Sequence, residues 1–152
     1  MNENHEITNL SQITDLIYLG TNLCCMADSH THILLSHGIK ADIDLEIERQ
    51  DQAPGVEVYL WLPVEDKKAP TLEQLKTGVA VIDSLVKNNI KVYIHCKNGH
   101  ERSPVLLAAY FIFIGMSIED AVAKIKSKRP EIHLEEIQYT ALKNYLDEIY
   151  KK

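Results

Sequence analysis

A ten-residue stretch in the second half of the chain contains the residue types needed to hold a phosphate-like anion beside a nucleophile. It reads His95-Cys96-Lys97-Asn98-Gly99-His100-Glu101-Arg102-Ser103-Pro104. Five residues separate Cys96 from Arg102, so a thiol and a guanidinium group stand at the two ends of one short segment. A cysteine thiolate is a strong nucleophile, and the planar guanidinium group binds oxyanions through paired hydrogen bonds. This spacing predicts an anion-binding loop in which sulfur lies against the bound group.

The sequence on either side of this stretch predicts the elements that would position it. Residues 90–94 are mostly apolar, as in a buried strand, and Ser103-Pro104 precedes an apolar run that predicts a helix. Proline is favoured in the first turn of a helix. A loop ahead of a helix N-terminus directs backbone N–H groups at a common centre and attracts anions. The same field favours the thiolate of Cys96 over its thiol.

The rest of the chain predicts an α/β fold. Strand patterns occur at 13–19, 39–48, 56–64 and 90–95; helix patterns occur before Gly38, after Thr71, at 103–114, after Ser117 and at about 134–150. Alternating strands and helices favour a central, mostly parallel sheet flanked by helices. The C-terminal third is predicted to be helical. No linker or repeat divides the sequence, so we expect a single domain over residues 1–152.

Two of these segments carry more specific signals. From Ile39 to Glu48 apolar residues alternate with acidic ones, which predicts a strand that is half exposed or near a sheet edge, with Asp42 and Asp44 facing solvent. Thr71 and Gln74 form a capping box. It starts a helix with an apolar stripe at Leu72, Leu75, Val79, Ile82 and Val86.

The two strongest strands of the predicted sheet place two loops together. Ligands of parallel sheets bind beyond the carboxyl ends of the strands. Cys96 follows one strand, and the polar loop 65–70 follows the strand that ends near Val64. We therefore expect these two loops to meet over one pocket.

The pattern H-C-x-x-G-x-x-R-S resembles the cysteine-dependent protein tyrosine phosphatase superfamily, in particular small dual-specificity phosphatases of bacterial and archaeal type. Residues 13–20 resemble the opening strand of that family, and Leu62-Pro63-Val64-Glu65-Asp66 resembles its general-acid loop. The resemblance covers most of the chain. It implies that residues 1–152 form one phosphatase domain with a dual-specificity phosphatase-like fold.

The resemblance also implies the reaction, which is hydrolysis of phosphotyrosine, phosphoserine and phosphothreonine in proteins. Cys96 would attack phosphorus and form a phosphocysteine, and Asp66 would protonate the leaving oxygen, with its neighbour Glu65 as the rival acid. Ser103 would help the sulfur to leave in the second step. The predicted catalytic residues are Cys96, Arg102, Asp66 and Ser103, supported by His95, which orients the loop. The predicted phosphate-binding loop is Lys97, Asn98, Gly99, His100, Glu101 and Arg102.

Composition limits the partners. The net charge of −6 argues against nucleic acid, which usually requires a basic surface. No apolar run approaches the ~20 residues that cross a bilayer, and the polar N-terminus is unlike a signal peptide. We expect a cytoplasmic monomer that needs no metal and no cofactor, with a phosphorylated protein or a small phosphate ester as its substrate. Whether Cys24 or Cys25 pairs with Cys96 depends on distances that the sequence does not give.

One residue departs from the family pattern and keeps other functions open. Glu101 stands before the arginine, where the family usually has Gly or Ala, and it is expected to point away from the anion. A carboxylate beside the anion makes a weakly active or inactive phosphate-binding module an alternative. Inositol phosphates and other small phosphate esters are alternative substrates. A sulfur transferase or an arsenate reductase would also use a cysteine loop, but persulfide transfer does not require the acid Asp66.

Overall fold

The structure is a computed structural model that describes residues 9–22, 27–50 and 55–151, with the backbone alone for residues 27–31. Along these residues the strands are β1 (Leu10–Gln12), β2 (Ile17–Gly20), β3 (Ile39–Glu46), β4 (Val58–Val64) and β5 (Lys91–His95). The helices are α1 (Ala27–Ser36), α2 (Leu72–Lys87), α3 (Arg102–Phe113), α4 (Ile118–Lys128) and α5 (Glu136–Ile149). None of these helices is long and apolar enough to cross a membrane.

The strands form one sheet in the order β1-β2-β5-β3-β4. The pairs β2–β5, β5–β3 and β3–β4 are parallel, and β1 is antiparallel to β2. The predicted mostly parallel sheet is therefore confirmed. The predicted opening strand is shorter than expected, because the Thr14 hydroxyl accepts hydrogen bonds from the backbone N–H groups of Leu16 and Ile17 and holds a turn there.

Helices cover both faces of the sheet. On one face Leu34 of α1 packs with Tyr18, Ile39 and Tyr93. The opposite face carries the main core, which joins the sheet to the other four helices. Helix α3 lies in the middle of this core, and its residues 102–112 are all buried. The phosphate-binding loop predicted from the sequence is thus fixed at both ends by buried elements, β5 before it and α3 after it.

β3 lies next to the edge strand β4, as predicted, but the prediction that it is half exposed with Asp42 and Asp44 facing solvent is wrong. β3 lies between β5 and β4, and Asp42 and Asp44 are fully buried instead of facing solvent. Polar partners on the same side of the sheet make this burial possible: Asp42 Oδ1 lies 2.7 Å from His95 Nε2, and Asp44 Oδ2 accepts a hydrogen bond of 3.1 Å from the Tyr59 hydroxyl. The alternation of apolar and acidic residues correctly predicted which side chains share a face of β3. It does not reveal that other polar side chains cover and bury the acidic face.

The predicted helix starts agree with the observed caps. In α2 the Thr71 hydroxyl accepts a hydrogen bond of 3.1 Å from Gln74 N, and Gln74 Oε1 accepts one of 3.0 Å from Thr71 N, so the capping box is confirmed. Ser117 caps α4 through Asp120 N at 3.1 Å. The last helix begins at Glu136, two residues later than about 134.

Candidate active site

Cys96 lies where β5 ends, almost completely buried, with 2% of its surface exposed. Two polar groups face its sulfur. The backbone N–H of Gly99 donates a hydrogen bond to Sγ over 3.3 Å, and Ser103 Oγ lies 3.3 Å from Sγ. Ser103 stands in the first turn of α3, so the sulfur lies at the N-terminal end of that helix, in contact with both groups.

The tight turn of the loop depends on Gly99. Its φ of +70° lies in the left-handed region that favours glycine. A Cβ at this position would meet the carbonyl oxygen of Gly20 at 2.6 Å and Arg129 Nη2 at 2.8 Å. The loop therefore approaches the end of β2 more closely than any residue with a side chain allows.

Arg102 is held by two groups from the neighbouring strands. Its Nη1 donates to Glu48 Oε1 and to the carbonyl oxygen of Val64, each at 2.7 Å, and its Nη2 donates to Glu48 Oε2 at 3.3 Å. Glu48 follows β3, and Val64 ends β4. The guanidinium group is thus fixed in one orientation while only 2% of the residue is exposed.

Glu48 and Arg102 each favour the charged form of the other. The hydrogen bond from Arg102 holds the pKa of Glu48 below its ordinary value, although partial burial opposes this shift. Burial alone would lower the pKa of Arg102, but the hydrogen bond to Glu48 and the nearby Cys96 raise it above its ordinary value. In the sequence, Glu48 is only the last acidic residue of the alternating stretch 39–48, and no motif connects it to the cysteine loop.

Asp66 lies at the same guanidinium group, with Oδ1 3.6 Å from Arg102 Nη2 and 54% of its side chain exposed. Its loop is braced at both ends. Gln74 Nε2 donates to the carbonyl oxygen of Pro63 at 2.9 Å, and Lys68 N donates to the carbonyl oxygen of Glu65 at 3.1 Å. The two predicted loops do meet, and Asp66 contributes a second carboxylate beside Arg102, farther away than that of Glu48.

A buried glutamine connects these two loops. Gln138, in the first turns of α5, is fully buried, and its Nε2 lies 3.1 Å from the carbonyl oxygen of Lys68 and 3.4 Å from that of Lys67. The same nitrogen lies 3.4 Å from Glu101 Oε2. The Glu101 carboxylate is therefore directed towards α5. No sequence signal marked Gln138, because a single glutamine in a predicted helix is usually exposed.

His95 belongs to the buried polar layer behind the loop. It is fully buried, its Nε2 lies 2.7 Å from Asp42 Oδ1, and its Nδ1 lies 3.9 Å from Asp44 Oδ1. Its ring stacks on Tyr93 with ring centroids 5.1 Å apart. These contacts hold the His95 ring at the end of β5, and its role in orienting the loop stays a prediction.

The remaining predicted residues line the rim of the loop. Lys97 and Asn98 are exposed, and His100 is half-buried. The carbonyl oxygen of Lys97 accepts a hydrogen bond from Asn22 N at 3.2 Å, and that of His100 accepts one from His133 N at 2.8 Å. Cys24 and Cys25 lie outside the described residues. Within the described segments, no three His, Cys, Asp or Glu side chains are grouped as a metal site.

The fold and this geometry define a class of protein: an α/β domain whose cysteine loop, closed by arginine, joins a central parallel strand to a buried helix. Residues 17–148 match the family model described as "Dual specificity phosphatase, catalytic domain". This match covers most of the chain, and the chain therefore belongs to that family. The predicted family and fold class are both confirmed, while the bacterial or archaeal type stays a prediction.

Individual relatives agree with this assignment. The human protein "Phosphatidylglycerophosphatase and protein-tyrosine phosphatase 1" is 35% identical over 96 residues, which are 62% of this chain and 48% of that protein. "Dual specificity protein phosphatase 1" of Arabidopsis thaliana is 30% identical over 122 residues, which are 79% of this chain and 60% of that protein. The chain thus spans about half the length of the human relative.

Solved structures share the whole fold. A crystal structure of PTPMT1 superposes with a TM-score of 0.80 at 27% identity, and the match covers 93% of this chain and 96% of that one. The central sheet, the cysteine loop between β5 and α3, and the C-terminal helices therefore form one known architecture.

Proposed function

We propose that this chain hydrolyses phosphomonoesters through a phosphocysteine intermediate on Cys96. The observation that carries the proposal is the arrangement around the sulfur: Sγ lies 3.3 Å from both Gly99 N and Ser103 Oγ, and the same loop ends in the oriented guanidinium group of Arg102. These groups supply a nucleophile, its leaving-group stabilisation and an anion clamp within one strand–loop–helix unit.

The contacts of Arg102 determine which of its edges binds the phosphoryl group. Both N–H groups of Nη1 have acceptors in Glu48 and Val64, and one N–H of Nη2 donates to Glu48. The edge formed by Nε and the other N–H of Nη2 is therefore assigned to the phosphoryl oxygens. Two parallel hydrogen bonds from this edge would stabilise the charge on the equatorial oxygens during transfer.

Asp66 is assigned as the general acid. Its carboxyl group lies 3.6 Å from Nη2 with 54% of the side chain exposed, so it is close enough to protonate the leaving oxygen of an ester held by Arg102. In the first step the sulfur forms a bond to phosphorus, the ester bond breaks, and Asp66 gives its proton to the leaving oxygen. In the second step Asp66 accepts a proton from the attacking water, and the phosphorus–sulfur bond breaks. Such acid–base assistance contributes about 10²–10⁴ in rate.

Phosphorylated proteins are the proposed substrates, as the family description implies. A second candidate is a phosphate ester of a lipid or an inositol. The name of the human relative includes phosphatidylglycerophosphatase, and PTPMT1 was also crystallised in complex with PI(5)P, in a structure that superposes on this chain with a TM-score of 0.78. The exposed Lys67, Lys68 and Lys97 near the two loops would suit either anionic substrate.

The mechanism is tested by measuring hydrolysis of an aryl phosphate in the presence of a chelator. We expect turnover in the parent chain, none in Cys96→Ser, and a large loss in Asp66→Asn that is greatest with poor leaving groups. Turnover that persists in Cys96→Ser would contradict the mechanism. Full activity in Asp66→Asn, lost when Glu65 is also replaced, would move the acid role to Glu65.

The competing functions give other results in the same assay. A phosphate-binding module would bind a phosphopeptide without turnover, and a sulfur transferase would accept a persulfide and ignore the aryl phosphate. A comparison of phosphopeptides, inositol phosphates and phosphatidylglycerophosphate at equal concentration would decide the substrate class. We expect phosphopeptides of tyrosine, serine and threonine to be hydrolysed.

A further inference from the structure

A fully buried arginine lies behind the phosphate-binding loop and has no role in the chemistry described so far. Arg129 caps the C-terminus of α4, and 0% of its surface is exposed. Burying a charged group is unfavourable unless hydrogen bonds satisfy it. The partners of its guanidinium group therefore show what this charge holds in place.

Two of its nitrogens donate to consecutive carbonyl groups of the loop. Nη2 donates to the carbonyl oxygen of Asn98 at 3.2 Å, and Nε donates to that of Gly99 at 3.0 Å. The loop approaches so closely that a Cβ on Gly99 would lie 2.8 Å from Nη2. One rigid guanidinium edge thus spans two successive peptide groups.

The third nitrogen faces away from the loop, towards β1. Nη1 lies 3.0 Å from Ser11 Oγ, 3.2 Å from Asn9 Oδ1 and 3.4 Å from the carbonyl oxygen of Asn9. The carboxylate of Glu131 lies 3.7 Å from the same nitrogen. Because several acceptors share this nitrogen, the guanidinium group stays anchored to β1 when any single one of them is removed.

The geometry of the peptide group connects these contacts to the sulfur. Peptide groups are planar, and a trans peptide directs its C=O and N–H in opposite directions. None of the described peptide bonds is cis. Because the carbonyl of Asn98 points at Arg129, the N–H of Gly99 in the same peptide group points the other way, and it donates to Cys96 Sγ over 3.3 Å. The His100 N–H is directed away from Arg129 for the same reason.

We infer that Arg129 is a positioning residue for the anion-binding loop, which aims the Gly99 N–H at the Cys96 sulfur by holding two successive carbonyl groups from behind. A hydrogen bond from a charged donor to a carbonyl also polarises its peptide group and strengthens the N–H as a donor. Arg129 contacts no reacting atom. Its effect on turnover rests on the proposed phosphatase function, whereas its effect on the sulfur does not.

Substitutions of Arg129 separate the effect of its positive charge from that of its two parallel N–H donors. Lysine keeps the charge but cannot span two carbonyls in one rigid plane, and methionine keeps much of the length without a donor. We expect kcat and kcat/KM for an aryl phosphate to fall together, on the order of 10²-fold in Arg129→Met and less in Arg129→Lys. Parent-like kcat in folded Arg129→Met would overturn the inference.

Ser11→Ala provides a matched control on the other side of the same guanidinium group. It removes the 3.0 Å contact with Nη1 and leaves both loop carbonyls with their donors. We expect kcat to stay within about twofold of the parent, since the loss of one hydroxyl group from a partly exposed residue usually has a small effect. If Ser11→Ala lost as much activity as Arg129→Met, the effect would come from loosening of β1 and the inference would be wrong.

Alkylation of Cys96 tests the inference without turnover. The rate at which iodoacetate modifies Cys96, followed by mass spectrometry at fixed pH, should fall in Arg129→Met, and inorganic phosphate should protect the thiol less than in the parent. This assay still reports on Arg129 if the parent hydrolyses no phosphate ester, so failure of the proposed function is distinguishable. Unchanged alkylation and unchanged protection would overturn the inference.

A measurement on the parent chain remains decisive if the substitutions prevent folding. The Nε–H signal of Arg129 can be followed by NMR while inorganic phosphate is added. We expect it to shift on saturation, because an anion at the loop changes the polarisation of the Gly99 carbonyl to which Nε donates. Phosphate binding that leaves this signal unchanged would contradict the proposed connection between Arg129 and the anion-binding loop.

Discussion

Glu48 and Arg102 form a two-point ion pair that joins the end of β3 to the start of α3. The distances are 2.7 Å from Nη1 to Oε1 and 3.3 Å from Nη2 to Oε2, between residues 54 positions apart in the chain. The carboxylate occupies one edge of the guanidinium group, so the edge that carries Nε is the one assigned to the phosphoryl group in the proposed mechanism. The orientation of the proposed phosphate clamp therefore depends on a residue outside the cysteine loop.

Replacing Glu48 by glutamine should impair catalysis more than stability. An amide offers one acceptor oxygen where the carboxylate offers two, so Arg102 would lose one of its two hydrogen bonds to residue 48. We expect kcat/KM for an aryl phosphate to fall about 10-fold, which corresponds to roughly 1.4 kcal/mol. Glu57→Gln, which alters the exposed pair with Lys40, is the control and should leave kcat/KM unchanged. Equal kcat/KM in Glu48→Gln and the parent would contradict the orienting role.

The same pair predicts a pH dependence of stability. The pKa of Glu48 lies below its ordinary value of 4.5, mainly because Arg102 donates to it. A lowered pKa in the folded state gives a contribution that is complete above 4.5 and is lost as pH falls through the lowered value. Since the Glu48 side chain is 36% exposed, we expect at most about 1 kcal/mol.

Urea unfolding of the parent and of Glu48→Gln between about pH 3 and pH 7 measures the contribution of this ion pair to the free energy of unfolding. The difference in the free energy of unfolding should be constant near neutral pH and should shrink in acid. A difference that grew as the pH fell would show that the pair does not stabilise the charged carboxylate.

The sequence predicted the parts of the site that depend on local structure. The strand–loop–helix unit around Cys96 follows from an apolar run, a glycine and a proline in the first helical turn. The starts of α2 and α4 follow from Thr71 and Ser117, whose caps involve residues only three positions away. These signals lie within a few residues of the feature that they specify, so they can be identified without knowledge of the fold.

The contacts that complete the site come from distant parts of the chain. Glu48 meets Arg102 across 54 positions, Gln138 meets Glu101 across 37, and Arg129 meets Gly99 across 30. No local pattern distinguishes these side chains from ordinary polar residues. The burial of Asp42 was missed for the same reason, because its partner His95 lies on another strand.

Glu101 should reduce turnover of small phosphate esters through its charge. Its carboxylate lies 3.4 Å from Gln138 Nε2, where the cysteine loop meets the loop 65–70 that carries Asp66. We expect Glu101→Gly to leave the fold intact and to raise kcat/KM for an aryl phosphate, because a negative charge near the bound anion is removed. Unchanged or lower turnover would reject an inhibitory role.

Glu101→Gln separates this charge effect from added backbone freedom. The amide keeps an oxygen that can accept from Gln138 but carries no charge. If repulsion is the cause, Glu101→Gln should raise kcat/KM as Glu101→Gly does. A gain in the glycine variant alone would show that loop flexibility is responsible.

Gly99→Ala should lower both stability and activity. The new Cβ would meet the backbone of Gly20 at 2.6 Å, and this strand end cannot move without disturbing β2. We expect a loss of about 1–3 kcal/mol in the free energy of unfolding, as for other overpacked sites, and little turnover by the folded fraction. Gly115→Ala is the control, because its φ of +115° is also unfavourable but no atom lies within 4 Å of its Cβ. Gly115→Ala should lose stability and keep kcat.

Tyr145 should make the chain sensitive to alkaline pH. It is 2% exposed in α5, and burial raises its pKa to about 12 from an ordinary value of 10.0. A raised pKa in the folded state gives a contribution to stability that is complete below pH 10.0 and is lost as pH rises towards 12, at about 1.4 kcal/mol for each unit of difference.

Tyr145→Phe removes this ionisation, so its free energy of unfolding should fall less than that of the parent over this range. Tyr150→Phe, at a residue that is 67% exposed, should follow the parent. Parallel pH profiles for Tyr145→Phe and the parent would show that the phenol of Tyr145 is not what alkaline pH acts on.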